Sequence, residues 1–185
     1  TGARRDLGLA LAGTGDYVPA RRILEEMWQR SGGRVSRVGL FRTDEAAALI
    51  AIRRDTGEEA EVGELVAAIR DNVRGYRKAG VIRAALWFSV DYEEGLATYL
   101  AGDRDRGLEL ISKAAEDGFF IPPKEAYLQV LYDDPGFGPI RASQEARQAR
   151  ERHKVLAVVC TDNPYEAVWQ PAEGTCEKYA PVDGW

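Results

Sequence analysis

Leu7-Gly8-Leu9-Ala10-Leu11-Ala12-Gly13-Thr14-Gly15-Asp16-Tyr17-Val18-Pro19-Ala20-Arg21-Arg22-Ile23-Leu24-Glu25-Glu26-Met27 is the stretch that decides the fold. Its first half is built from helix formers, and Gly13-Thr14-Gly15-Asp16 interrupts it. Gly15 can take the left-handed backbone that ends a helix. Pro19 falls near the start of the next apolar run, where a helix tolerates it. Gly8 and Ala20 are small, so two helices can approach closely there, with Leu11, Leu24 and Met27 filling the space around the contact. The reading is helix, tight turn, helix.

The same unit recurs around Asp55-Thr56-Gly57-Glu58 and Ala101-Gly102-Asp103-Arg104. In the third unit Gly95, Gly107, Ile111 and Ala114 hold the small and apolar positions, Asp103 is a candidate cap, and Gly118 a stop. In the second, Thr43 is a candidate cap and a long helix runs from about Glu58 to Ala79, ending at Gly80. The breaks Gly15, Gly57 and Gly102 are 42 and 45 residues apart, so longer helices or irregular linkers are expected at Ser31 to Arg42 and Val81 to Phe88. Further on, a short helix is expected from Lys124 to Tyr132, then a turn at Asp134-Pro135-Gly136-Phe137-Gly138-Pro139. Ser143 is expected to cap a polar helix over 144–159. Period-2 alternation is scarce, which leaves strands little support. The expected fold is all-α, a right-handed stack of about eight helices in antiparallel pairs. The array covers residues 1–160, with units near 1–34, 43–76 and 88–121 and two further helices. An irregular, aromatic-rich tail, 161–185, is expected to pack on it.

In the first unit Leu7-Gly8, Leu11, Gly15-Asp16-Tyr17, Ala20, Leu24 and Met27 fall at tetratricopeptide spacings. Together with Gly102-Asp103-Arg104-Asp105-Arg106-Gly107-Leu108, Ala115-Glu116-Asp117-Gly118 and Asp134-Pro135-Gly136-Phe137-Gly138-Pro139-Ile140-Arg141, they carry a wider likeness. The chain resembles the C-terminal tetratricopeptide region of bacterial signalling proteins, both membrane-linked winged-helix transcription regulators and adenylate cyclases with repeat tails. That resemblance implies a scaffold or sensor rather than an active site. Thr1 at the start and Met27 as the only methionine suggest a piece of a longer chain.

The chain has 185 residues, 30% charged and 45% hydrophobic, enough to bury a core without staples. Its net charge of −5 gives no general attraction to nucleic acid or anionic lipid, and no apolar run is long enough to span a membrane. No motif calls for a metal or cofactor. His153 lies among charged residues and reads as a surface group. The adjacent pairs Glu25-Glu26, Glu58-Glu59, Glu93-Glu94 and Asp133-Asp134 do not face one another on a helix and read as solvating charges. An enzyme is not expected. Cys160 and Cys176 are either two free thiols or one disulfide, of which the disulfide is favoured. The bond would place the chain in an oxidising, extracytoplasmic compartment; without it a cytoplasmic one is expected.

The tetratricopeptide resemblance implies a concave wall formed by the first helix of each unit, and its alignment puts Arg5, Leu9, Ala12, Ala47, Ala51, Arg54, Tyr92, Leu96 and Tyr99 there, beside the aromatic group Trp87, Phe88, Tyr92 and Tyr99; the alternative is that several of them simply pack the core. The functional expectation is a groove for a protein or peptide partner, self-association included. The alternative is a sensor domain holding a small signal ligand in that groove.

Overall fold

The computed structural model describes residues 2–36, 39–80, 89–121, 125–163 and 166–178. The chain divides into two compact units, Thr1–Ile140 and Arg141–Trp185. The described residues contain helices and no strand. The α-helices are α1 (Gly2–Gly13), α2 (Tyr17–Arg30), α3 (Thr43–Asp55), α4 (Glu59–Lys78), α5 (Val90–Leu100), α6 (Arg104–Glu116), α7 (Gln129–Tyr132) and α8 (Phe137–Thr161). A 3-10 turn, Ala126–Leu128, leads into α7.

Each of the first three pairs closes on a glycine with positive φ: Gly15 at +81°, Gly57 at +77° and Gly102 at +95°. The short turns force the two helices of a pair to run antiparallel. Hairpins α1–α2, α3–α4 and α5–α6 then lie against one another, with α1 touching α3 and α3 touching α5 on one side, and α2–α3 and α4–α5 joining successive pairs. No hairpin could bury its apolar stripe alone, and one continuous core runs through all three. The middle helix shows the consequence. Ala46 to Ile50 are buried all round, because α3 has neighbours on both sides.

Ion pairs lace the same junctions. Arg77 of α4 and Lys113 of α6 both reach Asp91 of α5, at 2.7 and 2.8 Å. Burial works against the Asp91 charge, but Lys113 and Arg77 overcome it and hold the carboxyl below its ordinary range. Arg21 of α2 bonds Glu25 and reaches across to Glu58 before α4.

Several local expectations need correction, and two others, the long helix ending at Gly80 and the Asp103 cap, hold. Thr43 is the first residue of α3 rather than its cap: the Arg42 backbone N–H donates to Glu45 Oε2 at 2.8 Å, while the Thr43 hydroxyl donates to Glu93 Oε2 at 2.9 Å. Ser143 caps nothing, because α8 already starts at Phe137 and runs through it. Pro139 sits in the first turn of that helix, where its missing N–H leaves no bond unmade. The expected helix over 124–132 is a 3-10 turn followed by one α-turn. The long second helix of the second unit is α4, stopped at Gly80 with φ +72°. Asp103 caps α6 by accepting the Arg106 N–H at 3.4 Å. Trp87, Phe88 and the rest of the 81–88 linker lie outside the described residues.

In the second unit Cys160 and Cys176 form a disulfide, with sulfurs 2.07 Å apart and Cα atoms 5.3 Å apart. It ties the end of α8 to the 3-10 turn Cys176–Lys178. Leu156, Ala157 and Val159 are buried, whereas Val155, Val158 and Trp169 are exposed.

The closest helix crossing is α5 on α6. A Cβ on Gly107 would stand 2.6 Å from Tyr99 Cβ and 2.7 Å from its backbone Cα and N. On Gly8 it would meet only side chains, Ile23 at 3.0 Å and Leu24 at 3.3 Å. Gly107→Ala should therefore cost more than Gly8→Ala, about 1–3 kcal/mol by overpacking, read as the larger fall in melting temperature. For the disulfide, thiol titration of denatured, unreduced chain should find no free thiol. Reduction should remove about 3 kcal/mol of unfolded-state restriction for a loop of this length, read as a lower melting temperature of the second unit.

Candidate functional site: a groove that holds its own chain

Helices α1, α3 and α5 share one side of the three-hairpin stack, and the expected groove residues lie on them. After α6 the chain turns at Gly118, φ +99°, and comes back over this side. Phe119 stacks on Tyr92, with ring centroids 4.6 Å apart. The 3-10 turn Ala126–Leu128 lies against α1 and α3. Tyr99 of α5 donates from its hydroxyl towards the Val130 carbonyl (2.9 Å) and Asp134 Oδ2 (3.0 Å). We call the described residues 119–121 and 125–136 the strap. Its apolar side chains Phe119, Ile121, Tyr127, Leu128 and Leu131 are buried and belong to the same core as Ala12, Ala47, Tyr92 and Leu96.

The strap covers the side on which the groove residues were expected. Tyr92, Leu96 and Tyr99 do lie on the predicted helices, but they are 3%, 1% and 9% exposed and present no open surface. Leu9 is half-buried against the core. Arg54 is spent within the fold, since its guanidinium donates to the Leu100 carbonyl and joins the end of α3 to the end of α5. Arg5 pairs with Asp6 at 3.0 Å and with Glu45 at 3.3 Å.

At its C-terminal end the strap is locked by charge. Arg104 Nε and Nη2 reach the two oxygens of Asp134 at 2.7 and 2.6 Å, and the Gly136 N–H adds a bond of 2.7 Å. Arg104 holds the Asp134 carboxyl below the ordinary carboxylate range. Burial, then the bond to Asp134, push the Tyr99 phenol up to about 12. Asp134 was expected as a solvating charge. It is instead the anchor of the strap, and Glu93, expected likewise, is buried and accepts bonds from Thr43 and Asn72.

The other end of the strap is less well matched. Glu45 is fully buried at the start of α3, and its Oε1 is met by Arg5 Nε at 3.3 Å as an ion pair without hydrogen-bond geometry. Burial raises its pKa, and neighbouring Asp44 adds to the rise. Asp44 is exposed by surface area, yet desolvation by the protein around it raises its carboxyl too. Tyr127 sits within reach of both charges and of Glu125; its phenol is pushed well up, first by burial and then by these carboxylates. The Glu125 carboxylate stands over bare backbone, 2.3 Å from where a Cβ on Gly13 would be. Sequence reasoning missed the burial of Glu45 at the start of α3. Its one signal was a pair of carboxylates opening a helix that is otherwise alanine, leucine and isoleucine.

Two further clefts belong to the first unit. One of about 550 Å³ lies between Val35 and Ser36 after α2 and Ala68, Asn72 and Tyr76 of α4. The other, about 440 Å³, lies between α4 and the end of α5 beside Arg54, Arg70 and Arg74. His153 is exposed on α8. Among the described residues no group of three or more His, Cys, Asp or Glu is placed to hold a metal ion, and no helix is long and apolar enough to cross a membrane. Comparison with protein-family models, with curated proteins and with solved structures finds no match.

A depressed carboxyl stabilises the fold while it is charged, and the gain is lost as pH falls through its folded value. Asp134→Asn should thus lower the melting temperature at neutral pH. The gap from the parent chain should close as pH drops below about 4, where the parent's own carboxyl also takes up its proton. Parallel melts across that range check it.

Proposed function

We propose that this chain is a protein–protein interaction module, a tetratricopeptide-like scaffold whose α1–α3–α5 face receives a short polypeptide segment. One observation supports the reading above the others: that face already holds a polypeptide, its own strap, by apolar anchors and an arginine–carboxylate lock. A surface that fixes such a segment in cis has the shape and chemistry to fix one in trans. The likeness to tetratricopeptide regions of bacterial signalling proteins fits this reading, and the disulfide favours an oxidising compartment.

A small-molecule sensor is the second reading. With the groove filled, its ligand would enter the cleft of about 550 Å³ beside α4, which is of the size small-molecule pockets have.

The test removes the strap's anchors in the whole chain. Tyr127→Ala with Leu131→Ala should leave helicity by circular dichroism largely intact. A labelled peptide of residues 119–134 should then bind this variant, and bind the parent chain, whose groove is occupied, at least about tenfold more weakly. A folded variant that does not bind the peptide would overturn the reading. A metabolite that stabilises the parent chain by about 2–3 kcal/mol at a hundredfold excess over its Kd would favour the sensor.

A further inference from the structure

The cleft of about 440 Å³ beside α4 is a groove with a chemistry of its own. Glu59, Gly63, Ala67, Arg70 and Arg74 recur at helical spacing along one face of α4, a run of about 22 Å at the rise of an α-helix. Buried Val62 and Val66, with Leu100 of α5, give it an apolar floor. Arg54, Arg70 and Arg74 line it against the carboxylates of Glu59 and Asp71, in a chain whose net charge is −5. Asp71 pairs with Arg74 on the same helix, and an exposed pair of that kind holds little. The Arg54 guanidinium is fixed by the Leu100 carbonyl, and among the described residues neither Arg54 nor Arg70 forms an ion pair.

Gly63 is a second, independent sign. A Cβ there would meet nothing within 4 Å, so no neighbour requires a glycine. A glycine inside a helix is otherwise a loss, because it gives up more backbone freedom than any other residue. Its effect here is to leave the groove open.

The second unit carries a surface of complementary chemistry. Residues 161–177 hold Asp162, Glu166, Glu173 and Glu177 and no basic side chain. All four carboxylates belong to exposed residues. Between them Val168 is 85% and Trp169 48% exposed, a large apolar pair facing solvent. The loop is already ordered. The Cys160–Cys176 disulfide closes it, the Asn163 amide donates to the Trp169 carbonyl at 2.9 Å, and the Thr175 N–H donates to the Ala172 carbonyl at 3.0 Å. A loop held in this way has little freedom left to lose on docking.

We propose that the groove along α4 receives the disulfide-closed loop of a second copy of this chain. Val168 and Trp169 of one copy lie on the floor of Val62, Val66 and Leu100 of the other, and Glu166 and Glu173 face Arg70 and Arg74. Groove and loop are different surfaces, so the contact is head-to-tail, and copies extend in a row or close into a ring. The long wall of the groove is α4 and not the α1–α3–α5 face, so the result does not depend on whether that face takes a peptide.

The test is sedimentation equilibrium of the whole, unreduced chain. A loop-in-groove contact is small, so concentrations run up to about 300 μM. The parent chain should associate in that range, and at least about threefold more weakly at about 0.5 M than at about 0.05 M salt, because salt screens exposed charges. Arg70→Glu with Arg74→Glu should weaken association at least about tenfold, as should Val168→Ser with Trp169→Ser. All four side chains are exposed, so these variants should melt within a few degrees of the parent. Gly63→Leu alters no charge and suits a helix better, yet it fills the groove. It should keep or raise the melting temperature and still abolish association. The arginine variant keeps its loop and the tryptophan variant keeps its groove. Mixed one to one, they should form a dimer and nothing larger. A parent chain that stays monomeric up to about 300 μM overturns the proposal. So does association that survives Arg70→Glu with Arg74→Glu, and so does a mixture that forms no dimer.

Discussion

Gly107 has no side chain because the backbone of Tyr99 occupies the place where one would stand. That contact fixes how closely α5 and α6 lie, and much of the first unit follows from it. With α6 tight against it, α5 turns its other faces to α3 and α4. Tyr99, gripped at its backbone by Gly107, is held where its hydroxyl meets the strap. Arg104, one turn before Gly107 on α6, is held where its guanidinium meets Asp134. A packing constraint between two helices thus sets the positions of both groups that lock the returning chain.

The hairpins were legible in the sequence because their determinants are local. A glycine at each turn, small residues at the crossings and apolar runs of helical length lie within thirty or so residues of one another, and they specify a helix pair without help from elsewhere. The groove was legible in part. The alignment put Tyr92, Leu96 and Tyr99 on one helix, and all three are buried on α5, where Tyr92 and Tyr99 meet the strap. What covers that side was not legible. The strap reaches α1 from more than a hundred positions away in sequence, and no spacing rule encodes such a return. Tyr127, Leu128 and Leu131 have the period of one more amphipathic helix, and the partner that buries them is invisible in the pattern.

The misread caps share a cause. Thr43 has the chemistry of an N-cap, but its hydroxyl serves Glu93, fifty residues on, and Glu45 takes over the helix start. Asp134-Pro135-Gly136-Phe137-Gly138-Pro139 has the composition of a loop, yet a helix can begin within it because proline is harmless in a first turn. In each case the residue type was compatible with two roles, and a tertiary contact chose between them.

Under the proposed function the strap is a covalently tied competitor for the face it covers, and the tether has a thermodynamic consequence. A tethered segment competes at an effective concentration that for short linkers lies in the millimolar range. A free partner present at about micromolar level must therefore bind roughly a thousandfold more tightly than the untethered strap to occupy half the grooves. Partners that are themselves tethered, by a second contact or by common attachment to one surface, escape that handicap. On the proposed reading the arrangement would discriminate against chance peptides by dilution alone, before any side chain is read, and would let avidity decide when a partner replaces the strap.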